Sequence, residues 1–389
     1  MSDKPELIVV SQNLLGGGAS FHRNMLSNFP KDFFDIRCIY LNPTDVTAAK
    51  SLEVALNPND AFFSYGHESL RKSAKKLAGL ISDKEGAIIT NLENELISLD
   101  LYRKPMKTTF FICHDDGFIS LGIKYESIID IFIAHNILVY QHLLKLLSNR
   151  SKDIHFIQHG VSVQSFQRQV NSDKTLKAVF VARHYVVKGI YDLPRINEIL
   201  LERGTCVEWT ILGDGPEREN FMKEVENTPN FYFHIPKTSS EVLEVLKTQD
   251  IFILPSRNDG LPVALLESMS VGCVPVIGNF SEGIKKVVTD QIGFVLTAGD
   301  NDSFAEKIIS LSNDRSLLKT LSNNCIDKVK DEFDIKKQAL EYYCLYKNYK
   351  QFSRKHKIGI KDIFRIVSYS GFYNKMFYWV TSFKRKLTN

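Results

Sequence analysis

The chain has 389 residues, of which 44% are hydrophobic and 24% charged; this is the composition of a folded protein with more than one domain core. These values exclude a peptide hormone, a disulfide miniprotein and a disordered chain. The apolar run near the start, at 7–10, is too short for a signal-peptide core, and no run approaches the roughly 20 apolar residues of a membrane span. We therefore expect a cytoplasmic protein, with its six cysteines mostly buried and reduced because they lack CxxC spacing.

Short β-branched apolar runs alternate with amphipathic segments such as 68–80. The first set of runs lies at 7–10, 36–41, 87–90, 109–113, 129–134 and 154–157, and the second at 178–182, 208–212, 231–233, 250–255, 274–277 and 293–296. This alternation is typical of βα units in parallel sheets, and two sets indicate two doubly wound Rossmann-like domains.

The domain boundaries follow from the same pattern. We expect an N-terminal domain at 1–165 and a C-terminal domain at 172–330, joined through the polar stretch 164–174. A helical pattern at 331–349 belongs to a segment, 331–356, that returns to the first domain. The residues from 357 to 389 form a tail.

A glycine-rich loop, Gly16, Gly17 and Gly18, directly follows the first apolar run. It lacks the full spacing of a dinucleotide-binding loop, so that kind of site is disfavoured. A loop that approaches donor phosphates and a plain turn both remain open.

Histidines stand after two later strands of the first domain. His114 is expected to face the cleft, followed by Asp115 and Asp116, which suit either a turn or an acceptor contact. His159 begins a turn that we interpret as structural.

In the second domain, Arg183 follows a strand and Lys188 comes five residues later. Two cations at this position can neutralise a diphosphate leaving group, although strand-end cations on their own are more often solvated. The glycines at 213 and 215 indicate a sharp, mainly structural turn.

The most informative segment is 255–277, where a strand is followed by a polar turn with Asp259, Gly260 and Leu261 and then by a helix. Backbone N–H groups at a helix start favour phosphate, and Glu267 lies about 7.5 Å along the helix, at 1.5 Å per residue. The alternative is a capped helix with solvated acids. The acidic run at 300–302 is interpreted as a helix cap rather than a metal-binding motif.

These motifs resemble those of the retaining glycosyltransferases of the GT-B fold, group-1 family (glycosyltransferase family 4-like). Segment 255–277 is similar to the family's glutamate-x7-glutamate signature with Asp259 in the first position, and 183–189 resembles its arginine-x4-lysine-glycine signature. The resemblance implies a GT-B fold in which two Rossmann-like domains face a cleft.

The resemblance also implies roles for individual residues. Glu267 would bind the nucleotide ribose, Asp259 the transferred sugar and His114 the donor sugar. The catalytic set is then Arg183, Lys188, His114 and Asp259, and the donor-binding set is Gly16, Gly17, Gly18, Gly260, Leu261 and Glu267. No metal and no cofactor is implied.

By this resemblance, the expected activity is metal-independent, retaining transfer of a sugar from a nucleotide-sugar donor to a glycan or lipid-linked acceptor, in cell-envelope polysaccharide synthesis. Nucleic acid is not an expected partner. The alternative is a degenerate, non-catalytic glycosyltransferase-like partner or a glycan- or nucleotide-binding protein.

The C-terminal tail is basic and aromatic. Residues 354–389 carry nine lysines or arginines against one acid, together with eight aromatic residues, while the net charge of the whole chain is only +4. Tyr373, Met376, Phe377 and Val380 share one helical face. Residues 357–389 are therefore expected to form a helix that binds the anionic inner face of a membrane, with packing against the first domain as the alternative.

Overall fold

The computed structural model describes residues 4–13, 17–43, 59–66, 68–163, 175–354, 362, 365, 366, 368 and 369. These residues form two parallel β-sheets, one from each half of the chain, with α-helices packed against them. Within these residues, no helix combines the length and the hydropathy needed to cross a bilayer.

The first sheet has seven strands in the order β3-β2-β1-β4-β5-β6-β7. The strands are β1 Glu6–Gln12, β2 Asp35–Pro43, β3 Ala61–Tyr65, β4 Gly86–Thr90, β5 Lys107–Cys113, β6 Ile131–Ala134 and β7 Ile154–Phe156. The helices of this half are α1 Gly17–Ser27, α2 Leu70–Leu80, α3 Glu93–Leu101, α4 Asp116–Lys124 and α5 Ile137–Leu146.

The apolar runs become central strands because both faces of this sheet are covered. Along β1, Leu7 and Val9 belong to the core on one face, while Ile8 and Val10 belong to the core on the other. Side chains of a strand alternate between the faces, so a continuous apolar run is what a sheet covered on both sides requires.

The second sheet has six strands in the order β10-β9-β8-β11-β12-β13. The strands are β8 Leu176–Val181, β9 Val207–Leu212, β10 Phe231–His234, β11 Ile251–Leu254, β12 Val274–Gly278 and β13 Phe294–Leu296. The helices are α6 Asp192–Glu202, α7 Arg218–Glu224, α8 Ser239–Leu246, α9 Val263–Ser270, α10 Ile284–Val287, α11 Asn301–Asn313 and α12 Arg315–Glu332. As predicted, Asp300 caps a helix: its carboxylate accepts from the Ser303 N–H at the start of α11.

The last regular helices, α13 Ile335–Lys347 and α14 Tyr349–Phe352, pack on the first sheet rather than on the second. Tyr342 and Tyr346 are fully buried, and their rings contact Phe21 of α1 and Phe110 of β5. The C-terminal part of the chain thereby completes the core of the first domain.

The chain crosses between the domains at two places that lie side by side. The Val161 N–H donates to the Phe333 carbonyl at 2.8 Å, and the Ile335 N–H donates to the Val161 carbonyl at 3.0 Å. Gly160 is required here because a Cβ at this position would lie 2.8 Å from the Ile335 Cα. The outgoing and returning segments are thus hydrogen bonded to each other.

The structure differs from the sequence prediction in three details. Strand β3 was not predicted; it is an edge strand with alternating exposure, and Phe62 is 52% exposed. The thiols of Cys206 and Cys344 are exposed, so the expectation of burial is wrong for these two. The helical pattern at 331–349 is interrupted, because Asp334 caps a new helix.

Part of the basic tail packs on the first domain. The Arg365 guanidinium donates to both carboxylate oxygens of Asp100, at 2.8 and 2.9 Å, and the hydroxyls of Tyr369 and Tyr125 are 2.8 Å apart. These contacts agree with the packing alternative for this part of the tail. The predicted aromatic face from Tyr373 to Val380 lies outside the described residues.

Candidate active site

A cleft of about 610 Å³ lies between the carboxyl edges of the two sheets. The residues predicted from sequence that line it are Arg183, Lys188, His114, Asp259, Gly260, Leu261 and Glu267. The structure therefore brings together side chains that are up to 153 positions apart in the sequence, from His114 to Glu267.

Arg183 and Lys188 lie on the second-domain wall of the cleft. Arg183 follows β8 by two residues and is half-buried, and Lys188 ends a short 3-10 helix, Val186–Lys188. Gly189 must follow, because its φ is +76° and a Cβ would lie 2.3 Å from the Pro255 carbonyl oxygen. This close approach fixes the Lys188 backbone against the loop that carries the acids.

Lys188 is engaged with Asp259. Its ammonium donates to a carboxylate oxygen of Asp259 at 2.5 Å, and the other carboxylate oxygen accepts from the Gly260 N–H at 3.0 Å. About a fifth of each of the two charged side chains is exposed. The pair is therefore accessible from the cleft, and a ligand with both phosphate and hydroxyl groups could compete for each partner.

The loop before α9 is held by contacts behind the cleft. The Arg257 guanidinium binds both carboxylate oxygens of Asp192, at the start of α6, one of them at 2.9 Å. The Ser256 hydroxyl donates to the Val187 carbonyl at 3.1 Å. These contacts place the loop without using the side chains that face the cleft.

Helix α9 begins at the cleft. Pro262 is extended and Val263 opens the helix, so its first N–H groups have no intrahelical acceptor and point towards the cleft wall. Glu267 lies one turn further along and also lines the cleft. The helix ends before Gly272, whose φ is +77°, as in many helices that end at a glycine. This wall thus presents a helix start and a carboxylate to the same ligand.

The turn at Gly213 directly follows β9 and lies in the second-domain wall of the cleft. Its φ is +128°, and a Cβ would lie 2.1 Å from the Ala182 carbonyl oxygen. The predicted structural role of this turn is consistent with that close approach. Gly213 and Asp214 also line the cleft.

The glycine-rich loop is described only in part. Gly16 lies outside the described residues, while Gly17 and Gly18 form the start of α1. Ser20, in the same helix, lines the cleft, and its hydroxyl lies 3.1 Å from that of Ser239 at the start of α8. Helix α1 therefore contacts the second domain directly.

On the first-domain wall, both ring nitrogens of His114 contact protein atoms. Its Nε2 lies 3.1 Å from the Asn91 amide nitrogen, and its Nδ1 lies 3.0 Å from Nδ1 of His135. Burial lowers the pKa of His114 to about 4. The ring is thus neutral at physiological pH and held at the cleft in one orientation.

A histidine cluster extends behind His114. Nδ1 of His135 also lies 2.9 Å from Nε2 of His159, and the His22 ring centroid is 6.1 Å from that of His114. Burial, followed by the repulsion of neighbouring histidines, lowers the pKa of His135 and His159 well below the usual value and that of His22 to about 3. All four rings are therefore neutral near pH 7.

The sequence prediction overlooked this histidine cluster, although the positions of its residues after successive strands indicate it. Asn91, His114 and His135 each directly follow one of the adjacent strands β4, β5 and β6, and His159 lies just after β7. Carboxyl ends of neighbouring parallel strands meet at one edge of a sheet, so polar residues at these positions converge. The turn at 159–161 packs as predicted, but His159 also lines the cleft.

Glu95 fixes the turn that carries Asn91. A single carboxylate oxygen of Glu95 accepts from the N–H groups of Asn91 and Leu92, at 2.9 and 2.7 Å. Glu95 is fully buried, and burial raises its pKa to about 7. This carboxyl thus supports the first-domain wall from behind.

The two aspartates after His114 have local partners. Asp115 caps α4 by accepting from the Gly117 N–H at 2.8 Å, and Asp116 lies 3.2 Å from His142. The capping role agrees with the turn interpretation of Asp115. Asp115 also approaches the second domain, since a Cβ added at Gly260 would lie 3.3 Å from its Cβ.

Comparison with known proteins agrees with this geometry. Residues 163–328 match the family model described as glycosyl transferases group 1. The chain is 31% identical over 208 residues to an Escherichia coli UDP-Gal:alpha-D-GlcNAc-diphosphoundecaprenol alpha-1,3-galactosyltransferase, covering 50% of this chain and 54% of that protein. It is 30% identical over 193 residues to the putative colanic acid biosynthesis glycosyltransferase WcaL of Escherichia coli K12, covering 45% and 46%.

These alignments span about half the length of the curated relatives. The structure of Anabaena Alr3699/HepE in complex with UDP and glucose superposes with a TM-score of 0.68 at 13% identity, covering 87% of this chain and 98% of that one. The chain therefore has the GT-B glycosyltransferase fold, and its residues 163–328 are similar to the group-1 glycosyl transferases.

Proposed function

We propose that the protein is a retaining glycosyltransferase that moves a sugar from a nucleotide-sugar donor to a glycan or lipid-linked acceptor. One observation carries the proposal: a single cleft wall holds two cations, a helix start and two acids. The cations and the helix start suit a phosphate group, and the two acids suit sugar hydroxyls. The fold and the match of residues 163–328 support the same reaction class.

The diphosphate of the donor lies against Arg183, Lys188 and the start of α9 in this proposal. Negative charge develops on the diphosphate as the glycosidic bond breaks, and fixed cations stabilise that charge without reorganising. Glu267 accepts hydrogen bonds from the ribose, and Asp259 accepts them from the transferred sugar. The donor then replaces part of the contact between Lys188 and Asp259.

The transfer step needs no nucleophile from the protein. The bond between the sugar C1 and the diphosphate oxygen breaks, and its electron pair leaves with the diphosphate. The acceptor oxygen forms the new bond to C1 on the same face, and its proton passes to a phosphate oxygen. Because Arg183 and Lys188 neutralise the diphosphate, the step uses no metal ion at that position and no cofactor.

The proposed acceptor class rests on the names of two relatives, and the proposed cellular location rests on the cations of the C-terminal tail. One relative is named for an undecaprenol-linked substrate and another for colanic acid synthesis. A lipid-linked or growing glycan in cell-envelope polysaccharide synthesis is therefore the proposed acceptor. The cations of residues 357–389 other than Arg365, which pairs with Asp100, are proposed to hold the protein at the anionic cytoplasmic face of the membrane.

A panel of nucleotide sugars tests this function. The purified chain is incubated with each donor, and mass spectrometry measures release of the nucleoside diphosphate. We expect turnover of at least one donor and none by the Arg183→Ala, Lys188→Ala double variant. With a matching acceptor, NMR of the anomeric proton should show the donor configuration in the product; an inverted product contradicts the retaining mechanism.

A further inference from the structure

Three buried histidines converge at the first-domain wall of the cleft. One ring nitrogen from each of His114, His135 and His159 lies within 4.8 Å of the others. Nδ1 of His135 is central, at 3.0 Å from Nδ1 of His114 and 2.9 Å from Nε2 of His159. His135 is 0% exposed and His159 is 4% exposed, so bulk water does not separate the rings.

Hydrogen bonds within the cluster leave its polar atoms poorly satisfied. A neutral imidazole nitrogen either donates one proton or accepts at one lone pair, yet two ring nitrogens approach Nδ1 of His135. Among the described residues, Nε2 of His135 and Nδ1 of His159 have no hydrogen-bond partner. These two nitrogens can carry the ring protons, which leaves Nδ1 of His135 and the two nitrogens that approach it as lone-pair donors that one ion between the rings would bind.

The geometry is close to that of a tetrahedral metal site for two of the three pairs of nitrogens. Zinc–nitrogen bonds of about 2.1 Å place two ligand nitrogens about 3.4 Å apart, a few tenths of an ångström more than the two close contacts observed. The third pair, from His114 and His159, lies within 4.8 Å, so these two rings would move together by up to about 1.4 Å when an ion binds. Imidazole nitrogens suit zinc and its neighbours in the first transition row, whereas calcium and magnesium prefer oxygen.

The second coordination sphere is present at His114. A metal-bound histidine usually donates its other N–H to a carbonyl or carboxylate oxygen. The side-chain amide of Asn91 lies 3.1 Å from Nε2 of His114, and the amide oxygen Oδ1 of Asn91 has no partner among the described residues. Exchanging the amide oxygen and nitrogen, which look alike in a structure, gives that oxygen the His114 proton.

We propose that His114, His135 and His159 form a site for one divalent transition-metal ion, preferably Zn²⁺, with its fourth coordination position directed to the cleft. His114 and His159 line the cleft, so a water or a sugar hydroxyl can reach that position. The ion lies on the first-domain wall, away from the cations proposed to neutralise the diphosphate. Metal binding here does not depend on the proposed transfer reaction.

The test measures metal directly on the full, tag-free chain. After removal of metal with a chelator, the protein is dialysed against buffered Zn²⁺, and bound zinc is determined by mass spectrometry. We expect about one ion per chain, and Co²⁺ in its place should give the visible absorption of a tetrahedral site. His142→Ala is the matched control, because His142 is an exposed histidine of the same domain.

Two variants decide the outcome. His135→Ala and His159→Asn should each lower zinc affinity by about 100-fold or more, since loss of even an outer partner costs 10–100-fold. Asn keeps a hydrogen-bonding side chain at position 159 but offers no imidazole nitrogen, so His159→Asn decides the matter if His135→Ala does not fold. Zinc should also raise the Tm of the wild type but not that of His159→Asn. No zinc on the wild type, or equal zinc on wild type and His159→Asn, overturns the proposal.

Discussion

Lys188 and Asp259 form an ion pair of 2.5 Å at the cleft, between the 3-10 helix after β8 and the loop before α9. In the proposed mechanism these residues act on opposite sides of the bond that breaks, since Lys188 faces the leaving diphosphate and Asp259 the transferred sugar. Their contact sets the spacing of the two groups before any donor binds. In the proposed mechanism the pair holds both groups at the cleft before binding, and the donor then replaces part of their contact.

We expect Arg183→Ala and Lys188→Ala each to lower kcat by about 100-fold or more, because both cations act on charge that develops in the transition state. Steady-state kinetics with the donor found in the panel measures the effect. Arg195→Ala is the matched control, since Arg195 is exposed and pairs with Glu198 on α6. A wild-type kcat in either cleft variant would show that its cation does not assist the leaving group.

Glu267→Gln should weaken binding of the nucleoside diphosphate. A carboxylate that accepts ribose hydroxyls makes charge-assisted hydrogen bonds, and each is worth about 1.5–3 kcal/mol, or roughly 10- to 100-fold in Kd. Isothermal titration calorimetry compares this variant with Glu198→Gln, which alters an exposed acid on α6. Equal Kd values for the two variants would remove Glu267 from the ribose site.

Glu95→Gln should change how stability depends on pH. The folded protein holds the Glu95 proton up to about pH 7, whereas an unfolded chain releases it near pH 4.3. Between these values the folded state binds more protons, so this carboxyl lowers the free energy of unfolding as the pH rises. Gln keeps an oxygen for the Asn91 and Leu92 N–H groups and does not titrate.

Urea unfolding at pH 5 and at pH 8 measures this difference. We expect the stability of Glu95→Gln relative to wild type to increase by about 1–3 kcal/mol between the two pH values. The comparison cancels the contribution of the histidines, which both proteins share. A constant difference would mean that Glu95 titrates near its ordinary pKa in the folded state.

Gly213→Ala should destabilise the second domain by more than about 1 kcal/mol. The new Cβ would require a φ of +128° and would lie 2.1 Å from a backbone oxygen, which cannot move like a side chain. Gly79→Ala is the control, because a Cβ at Gly79 meets nothing within 4 Å in α2. That change should stabilise the protein by about 0.4–1 kcal/mol, and thermal melting distinguishes the two signs.

Deleting residues 371–389 should release the protein from anionic vesicles without lowering its Tm. The deletion removes Lys375, Lys384, Arg385 and Lys386, each worth about 1 kcal/mol near an anionic surface. It leaves the contacts of Arg365 and Tyr369 with the first domain intact. Flotation with neutral and anionic liposomes at low and high salt measures binding, which should weaken as salt rises.

A longer deletion, of residues 357–389, provides the structural comparison. It removes Arg365 and leaves the buried carboxylate of Asp100 without its guanidinium partner. Breaking a buried ion pair on one side costs about 3–5 kcal/mol, so this deletion should lower the Tm. If the full chain ignores anionic vesicles, the tail is a packing element throughout.

The sequence predicted the elements whose signals are local. Every predicted apolar run coincides with a strand, because both faces of each sheet are buried. Successive runs are also well separated, by ten or more residues. The turn at Gly213 could be predicted because a positive φ is a property of a single position. Strand β3 was overlooked since an edge strand such as 61–65 has one exposed face and a weaker apolar signal.

Contacts between distant segments could not be predicted from local sequence patterns. Arg365 meets Asp100 across 265 positions, and no spacing rule connects them. The partners of His114 were overlooked because His135 and Asn91 follow different strands and converge only when β4, β5 and β6 pair side by side. Most of the cleft residues were found because they follow a strand or precede a helix, and Glu267 was found because it lies one turn into α9.

The return of α13 to the first sheet has a consequence for synthesis on the ribosome. The core face that holds Phe21 and Phe110 is covered by Tyr342 and Tyr346, which are translated after the whole second sheet. The second sheet, in contrast, draws its core from one continuous stretch of chain between 176 and 333, joined by Val161. The domain that lies first in the chain is thus completed after the domain that follows it, and until α13 is translated its apolar surface must be kept from other nascent chains.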